Sequence, residues 1–146
     1  MASETYLVLL AIETSSMSLS TLATRLAIEP SAGSHDRGAR RTNTTTWEKT
    51  AWKLNSIAPE DAPLISHLES LLGRLPLHLR LREDVLPPDS DVCLCVGIQY
   101  EAEGVHFPSA FIPHRCLELL HRLGASIEVT CYPYRARKND DAIDHQ

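Results

Sequence analysis

The chain has 146 residues, 43% of them apolar, which is enough to close one hydrophobic core and too few for two. Its formal charge of -5 repels a phosphate backbone and argues against nucleic acid as a partner. The apolar run Leu7 to Ile12 is too short to span a bilayer and has no basic residue before it, so neither a signal peptide nor a membrane contact is expected, and the predicted location is cytoplasmic.

Thr5 to Glu13 is nearly all apolar and predicts a strand buried on both faces. Ser18 caps a helix carrying Leu19, Leu22, Ala23, Leu26 and Ala27, which Glu29-Pro30 ends. Pro30 to Thr46 is rich in Ser, Thr, Gly and Arg, lacks apolar periodicity, and predicts a long loop that is weakly ordered in the free chain. Trp47 to Leu54 reads as a second strand. Leu64, Ile65, Leu68, Leu71, Leu72 and Leu75 form a helical stripe, which puts His67, Ser70 and Arg74 on the far side.

From Leu75 to Leu81 the leucines alternate as in a strand, while Pro76 suits a first helical turn; a helix is the preferred reading of this ambiguous stretch. Asp91 to Glu101 predicts a strand with Val92, Leu94, Val96, Ile98 and Tyr100 on one face and Cys93, Cys95, Gly97, Gln99 and Glu101 on the other. Pro113 to Leu123 reads as a helix closed by Gly124, and Ile127, Val129 and Cys131 alternate in a last strand. These elements predict one α+β domain over residues 1–134: a four-stranded mixed or antiparallel sheet with helices on one face, a ferredoxin-like sandwich. Residues 135–146 read as a mobile tail.

The string Leu26-Ala27-Ile28-Glu29-Pro30-Ser31, then Arg37-Gly38, then Thr50-Ala51-Trp52-Lys53-Leu54, resembles the bacterial domain of unknown function 4279 family. His67-Leu68, Leu71-Leu72 and the ending Leu119-Leu120-His121-Arg122-Leu123-Gly124-Ala125 extend the similarity over roughly Leu7 to Tyr132. The resemblance implies the same fold and a helical reading of the ambiguous stretch, and it implies no activity. Asn43-Thr44-Thr45-Thr46 before Trp47 is an addition to the family's usual pattern.

Chemistry-bearing motifs are sparse. No phosphate loop, dinucleotide fingerprint, nucleophile elbow or zincin string occurs, and no cofactor is expected. His114, Glu118 and His121 share one face of the last helix at metal-ligand spacing, yet that face lies opposite the apolar stripe of Ile112, Cys116, Leu119, Leu120 and Leu123, and no metal is expected there. The four cysteines, Cys93, Cys95, Cys116 and Cys131, form no C-x-x-C pair and read as small, reduced core residues; Cys93 and Cys95, on one strand face, suit a soft metal but read as passive.

Positive charge gathers at His35, Arg37, Arg40 and Arg41, just before Trp47 and Trp52. Arginine beside tryptophan is favoured in protein interfaces, so Arg37, Arg40, Arg41 and Trp47 are the candidate partner-binding residues. The first functional expectation is therefore a non-enzymatic protein-binding module, resembling an immunity protein or an accessory subunit. The alternative is an enzyme or small-ligand binder using the open sheet face around Cys93, Cys95, Gly97 and Gln99, a face that also suits a homodimer.

Overall fold

The structure, a computed structural model, describes residues 4–76, 80–103 and 107–135. Its strands are β1 (Thr5–Thr14), β2 (Thr50–Asn55), β3 (Asp91–Glu101) and β4 (Ala125–Tyr134). The helices are α1 (Leu19–Leu26), α2 (Leu64–Leu72) and α3 (His114–Leu123), and Leu81–Val85 form a single π-helical turn. The strands pair in the order β2-β1-β3-β4. β1 runs antiparallel to β2 and to β3, whereas β3 and β4 are parallel. A parallel pair needs a crossover rather than a tight turn, and α3 provides it. This is the α+β arrangement expected, with the sheet in its mixed form.

The core lies between the helices and one face of the sheet. Leu10, Ile12, Leu54, Leu94 and Ile98 meet Leu22, Leu26, Leu68, Leu71, Leu120 and Leu123 there, all at most 2% exposed. Each such side chain stabilises the fold by roughly 1.5–3 kcal/mol relative to exposure. Trp52 is also fully buried, and its Nε1 donates to the Ile28 carbonyl at 3.4 Å, so the indole loses no hydrogen bond on burial.

Local signals account for the helix ends. Ser18 Oγ accepts from Thr21 N at 3.2 Å at the start of α1, and Asp36, far along the chain, accepts from Leu19 N at 2.7 Å. α3 ends at Gly124, whose φ of 64° is a left-handed value that glycine adopts without steric cost, and the chain turns directly into β4.

Several expectations change. β1 is covered fully on one face and partly on the other: Val8, Leu10 and Ile12 point to the core, while on the open side Ala11 is buried, Leu9 half-buried and Leu7 half exposed. An uninterrupted apolar run therefore marks one covered face and one apolar surface. β2 starts at Thr50, so Trp47 is excluded from the strand. His67 is buried at 1% exposure instead of facing solvent; it stands three residues after Leu64 and four before Leu71 and so shares their stripe. Ile127 and Val129 alternate as expected but are exposed, because β4 is an edge strand that the helices leave uncovered.

Within the ambiguous stretch, 77–79 lie outside the described residues, and helical winding begins at Leu81. The expected mobile tail also lies outside them from residue 136 onward.

Candidate functional site

Among the described residues, two surfaces gather chemistry-bearing side chains, and the first is built by the segment between α1 and β2. It is tied down rather than loose. Ser31 N donates to the Lys53 carbonyl at 2.7 Å, and His35 and Ala51 exchange backbone hydrogen bonds at 3.0 and 2.9 Å, so the segment lines the outer edge of β2. From there it doubles back as a small hairpin. Gly38 N donates to the Trp47 carbonyl at 2.8 Å, Trp47 N to the Ala39 carbonyl at 2.9 Å, and Arg40 bridges Thr46. Asn43-Thr44-Thr45 lies at the tip, where Thr42 Oγ1 accepts from Thr44 N at 3.3 Å and Thr45 N at 3.1 Å. A run of Ser, Thr and Gly hides this order because its bonds are made by backbone and hydroxyl groups, which leave no apolar period.

The hairpin presents Trp47, half-buried, against two partners. The His35 ring stacks on it at 3.7 Å between centroids and 13° between planes, and the Arg41 guanidinium stands 4.5 Å from its ring centre. A cation over a partly exposed indole stabilises by about 0.5–1 kcal/mol, enough to bias the rotamers of both groups. Glu13, Glu48 and Lys49 join these three around an open depression of about 660 Å³.

The four candidate residues do not form one cluster. Arg41 and Trp47 are brought together, and Arg40 is exposed at the hairpin bridge. Arg37 turns the other way: its Nη1 donates to the Ser15 carbonyl at 3.0 Å and its backbone N to Thr50 Oγ1 at 3.0 Å. Part of its charge therefore serves the turn after β1.

The second surface is the open face of the sheet. The register aligns Lys53, Ala11, Cys93 and Ser126 in one row, Leu9, Cys95 and Glu128 in the next, and Leu7, Gly97 and Thr130 in a third. Cys95 Sγ lies 3.8 Å from Cys93 Sγ, and both converge with a Glu128 carboxylate oxygen within 4.8 Å. Burial, then the adjacent Cys93, then the charge of Glu128 push the Cys95 thiol up to about 12. Tyr132 crosses Gly97 closely, so that a Cβ there would stand 3.3 Å from the ring and the ring would have to give by a few tenths of an ångström. Leu9, Cys95, Gly97, Glu128, Thr130 and Tyr132 are among the residues lining a shallow cavity of about 380 Å³.

All four cysteines are free, but only Cys116 is a core residue; Cys93 and Cys95 are half-buried and Cys131 is exposed. On α3, His114 Nε2 pairs with Glu118 Oε1 at 3.1 Å on the exposed face, where the sequence placed them. Among the described residues, the donor atoms that converge for a metal are those of Cys93, Cys95 and Glu128. Sequence reasoning passed over Glu128, because only strand register sets it beside Cys95. It also passed over a buried polar pair: Ser56 Oγ stands 2.8 Å from His67 Nδ1, while His67 Nε2 has no partner among the described residues.

Among the described residues, no helix is long and apolar enough to cross a membrane. No curated protein and no solved structure matches the chain. The family model described as Domain of unknown function (DUF4279) matches residues 3–134, and the chain belongs to that family.

Proposed function

We propose that this protein is a non-enzymatic protein-binding module that meets its partner through the hairpin spanning residues 38–47. The observation that carries this reading is the stack of His35, Trp47 and Arg41 on a backbone-bonded hairpin. Tryptophan and arginine are, with tyrosine, the residues enriched at binding hot spots. A hairpin already held by backbone bonds loses little conformational freedom on docking, which favours affinity.

Arg40 and Arg41 stand out as positive on a chain of net charge -5 and would steer toward an acidic surface. Four free thiols suit a reducing compartment such as the cytoplasm. The alternative, small-ligand binding on the open sheet face, draws support from the convergence of Cys93, Cys95 and Glu128.

A photocrosslinking residue placed at Thr44 in the full chain, expressed in its native cell, tests the reading. One dominant crosslinked protein is expected. Arg41→Glu should weaken binding of that protein by about 30-fold, as loss of a hot spot of about 2 kcal/mol requires, with an unchanged melting temperature. Crosslinking that persists undiminished in Arg41→Glu would overturn the proposal.

A further inference from the structure

We propose that Cys93, Cys95 and Glu128 form a binding site for one thiophilic divalent cation of the zinc class on the open face of the sheet. The site follows from strand geometry. Alternation places residues two apart on the same face, with Cα atoms about 6–7 Å apart, and the two side chains lean together until their sulfurs stand 3.8 Å apart. Two zinc–sulfur bonds of ~2.3 Å opened at the tetrahedral angle place their sulfurs about 3.8 Å apart, so the pair is already spaced as two ligands of one ion. The parallel register then sets Glu128 directly beside Cys95, and its carboxylate oxygen closes the third corner within 4.8 Å of both sulfurs.

The donor set selects the ion. Two sulfurs and one carboxylate suit a borderline-soft, tetrahedral d10 cation; monovalent copper favours sulfur alone, and magnesium requires oxygen ligands in an octahedron. Both thiols are half-buried while Glu128 is exposed, so the fourth position faces solvent and takes a water molecule. Lys53, aligned with Cys93 across Ala11, supplies positive charge that offsets the three anionic donors. On binding, each thiol gives its proton to solvent as its sulfur bonds the metal, so two protons leave per ion and no group is oxidised or reduced. The site stands on β3 and β4, two strands away from the hairpin, and does not depend on the protein-binding reading.

Titration of the reduced full-length chain with cobalt chloride, followed by displacement with zinc chloride, tests the proposal. One equivalent of cobalt should produce a thiolate-to-metal charge-transfer absorption, release two protons into weak buffer, and be bleached by one equivalent of zinc. Cys93→Ser and Cys95→Ser should each abolish the absorption while the far-ultraviolet circular dichroism stays native. Glu128→Gln should weaken affinity by at least the ~10–100-fold that loss of an outer-shell partner costs. Cys131→Ser and Arg41→Glu should leave it intact. No absorption in the wild-type chain, absorption that survives in Cys95→Ser, or no effect of Glu128→Gln would overturn the assignment.

Discussion

The two faces of β3 are formed by alternate residues of one eleven-residue strand and have opposite roles. Toward the helices, Val92, Leu94, Val96 and Ile98 are at most 3% exposed. Toward the open side, Cys93, Cys95, Gly97 and Gln99 carry sulfur, a missing side chain and an amide. β1 repeats the division, with Val8, Leu10 and Ile12 inside and Leu7 half exposed. Close packing constrains every side chain on the first face, because a void or a clash there costs energy directly. The second face is packed more loosely, and soft, polar and apolar groups stand there side by side.

The largest effect that separates the faces is on stability. Leu94→Ala empties a fully buried position and should cost about 2–5 kcal/mol in urea denaturation. Leu7→Ala removes the same atoms from a half-exposed position on the open face and should cost about 1 kcal/mol or less. Equal costs would mean that the open face is covered in solution, as by a second copy of the chain.

A smaller effect lies at the rim of the core face, where Thr14 is fully buried at the end of β1. Hydrogen bonds from the Ser16 hydroxyl, the Ser15 N–H and the Thr14 hydroxyl hold the Asp89 carboxyl at about 2, below its ordinary value of 3.8. A carboxyl depressed by folding contributes stability that is fully present above its unfolded value and is lost as the pH falls through its folded value. Stability should therefore decline between pH 4 and pH 2, and Asp89→Asn should flatten that part of the profile. The carboxylate is exposed, so solvent screens the effect and keeps it small. A profile unaltered by Asp89→Asn would show that these hydrogen bonds do not form in solution.

The smallest effect leaves stability untouched and reads the faces through their thiols. With iodoacetamide at neutral pH, exposed Cys131 should react first and buried Cys116 last. Cys95, protonated at that pH because its thiol is pushed up to about 12, should lag behind Cys131. Peptide mapping by mass spectrometry gives the order, and a Cys95 faster than Cys131 would contradict the crowded environment described for the pair.

The elements themselves were largely legible in the sequence, for a local reason. The cap at Ser18, the stripe from Leu64 to Leu75, the alternation of β3 and the stop at Gly124 all act over a few residues, so they are written where they operate. The family resemblance was legible in the same way and agrees with the match over residues 3–134. The candidate sites were legible in part. Arg41 and Trp47 stood out by type and proximity, and the structure stacks them. Cys93 and Cys95 were visible as a pair on one face, but their third donor was not.

What only the tertiary structure decided is whatever depends on pairing between distant segments. Glu128 reaches Cys95 because β3 and β4 are parallel in one register; a shift by one residue would turn its side chain to the helix face. Trp47 leaves the strand because the preceding segment hydrogen-bonds to the edge of β2 and folds back on itself, a choice made by backbone groups that are the same in every residue. The covered face of β1 was decided in the same manner, since an apolar run records how much surface prefers to be buried and not which side the helices will reach. The sequence by itself thus determined the elements and the α+β class, because propensity, capping and periodicity are local. The sites were decided by register and edge pairing, because those interactions join residues that nothing in the linear chain sets side by side.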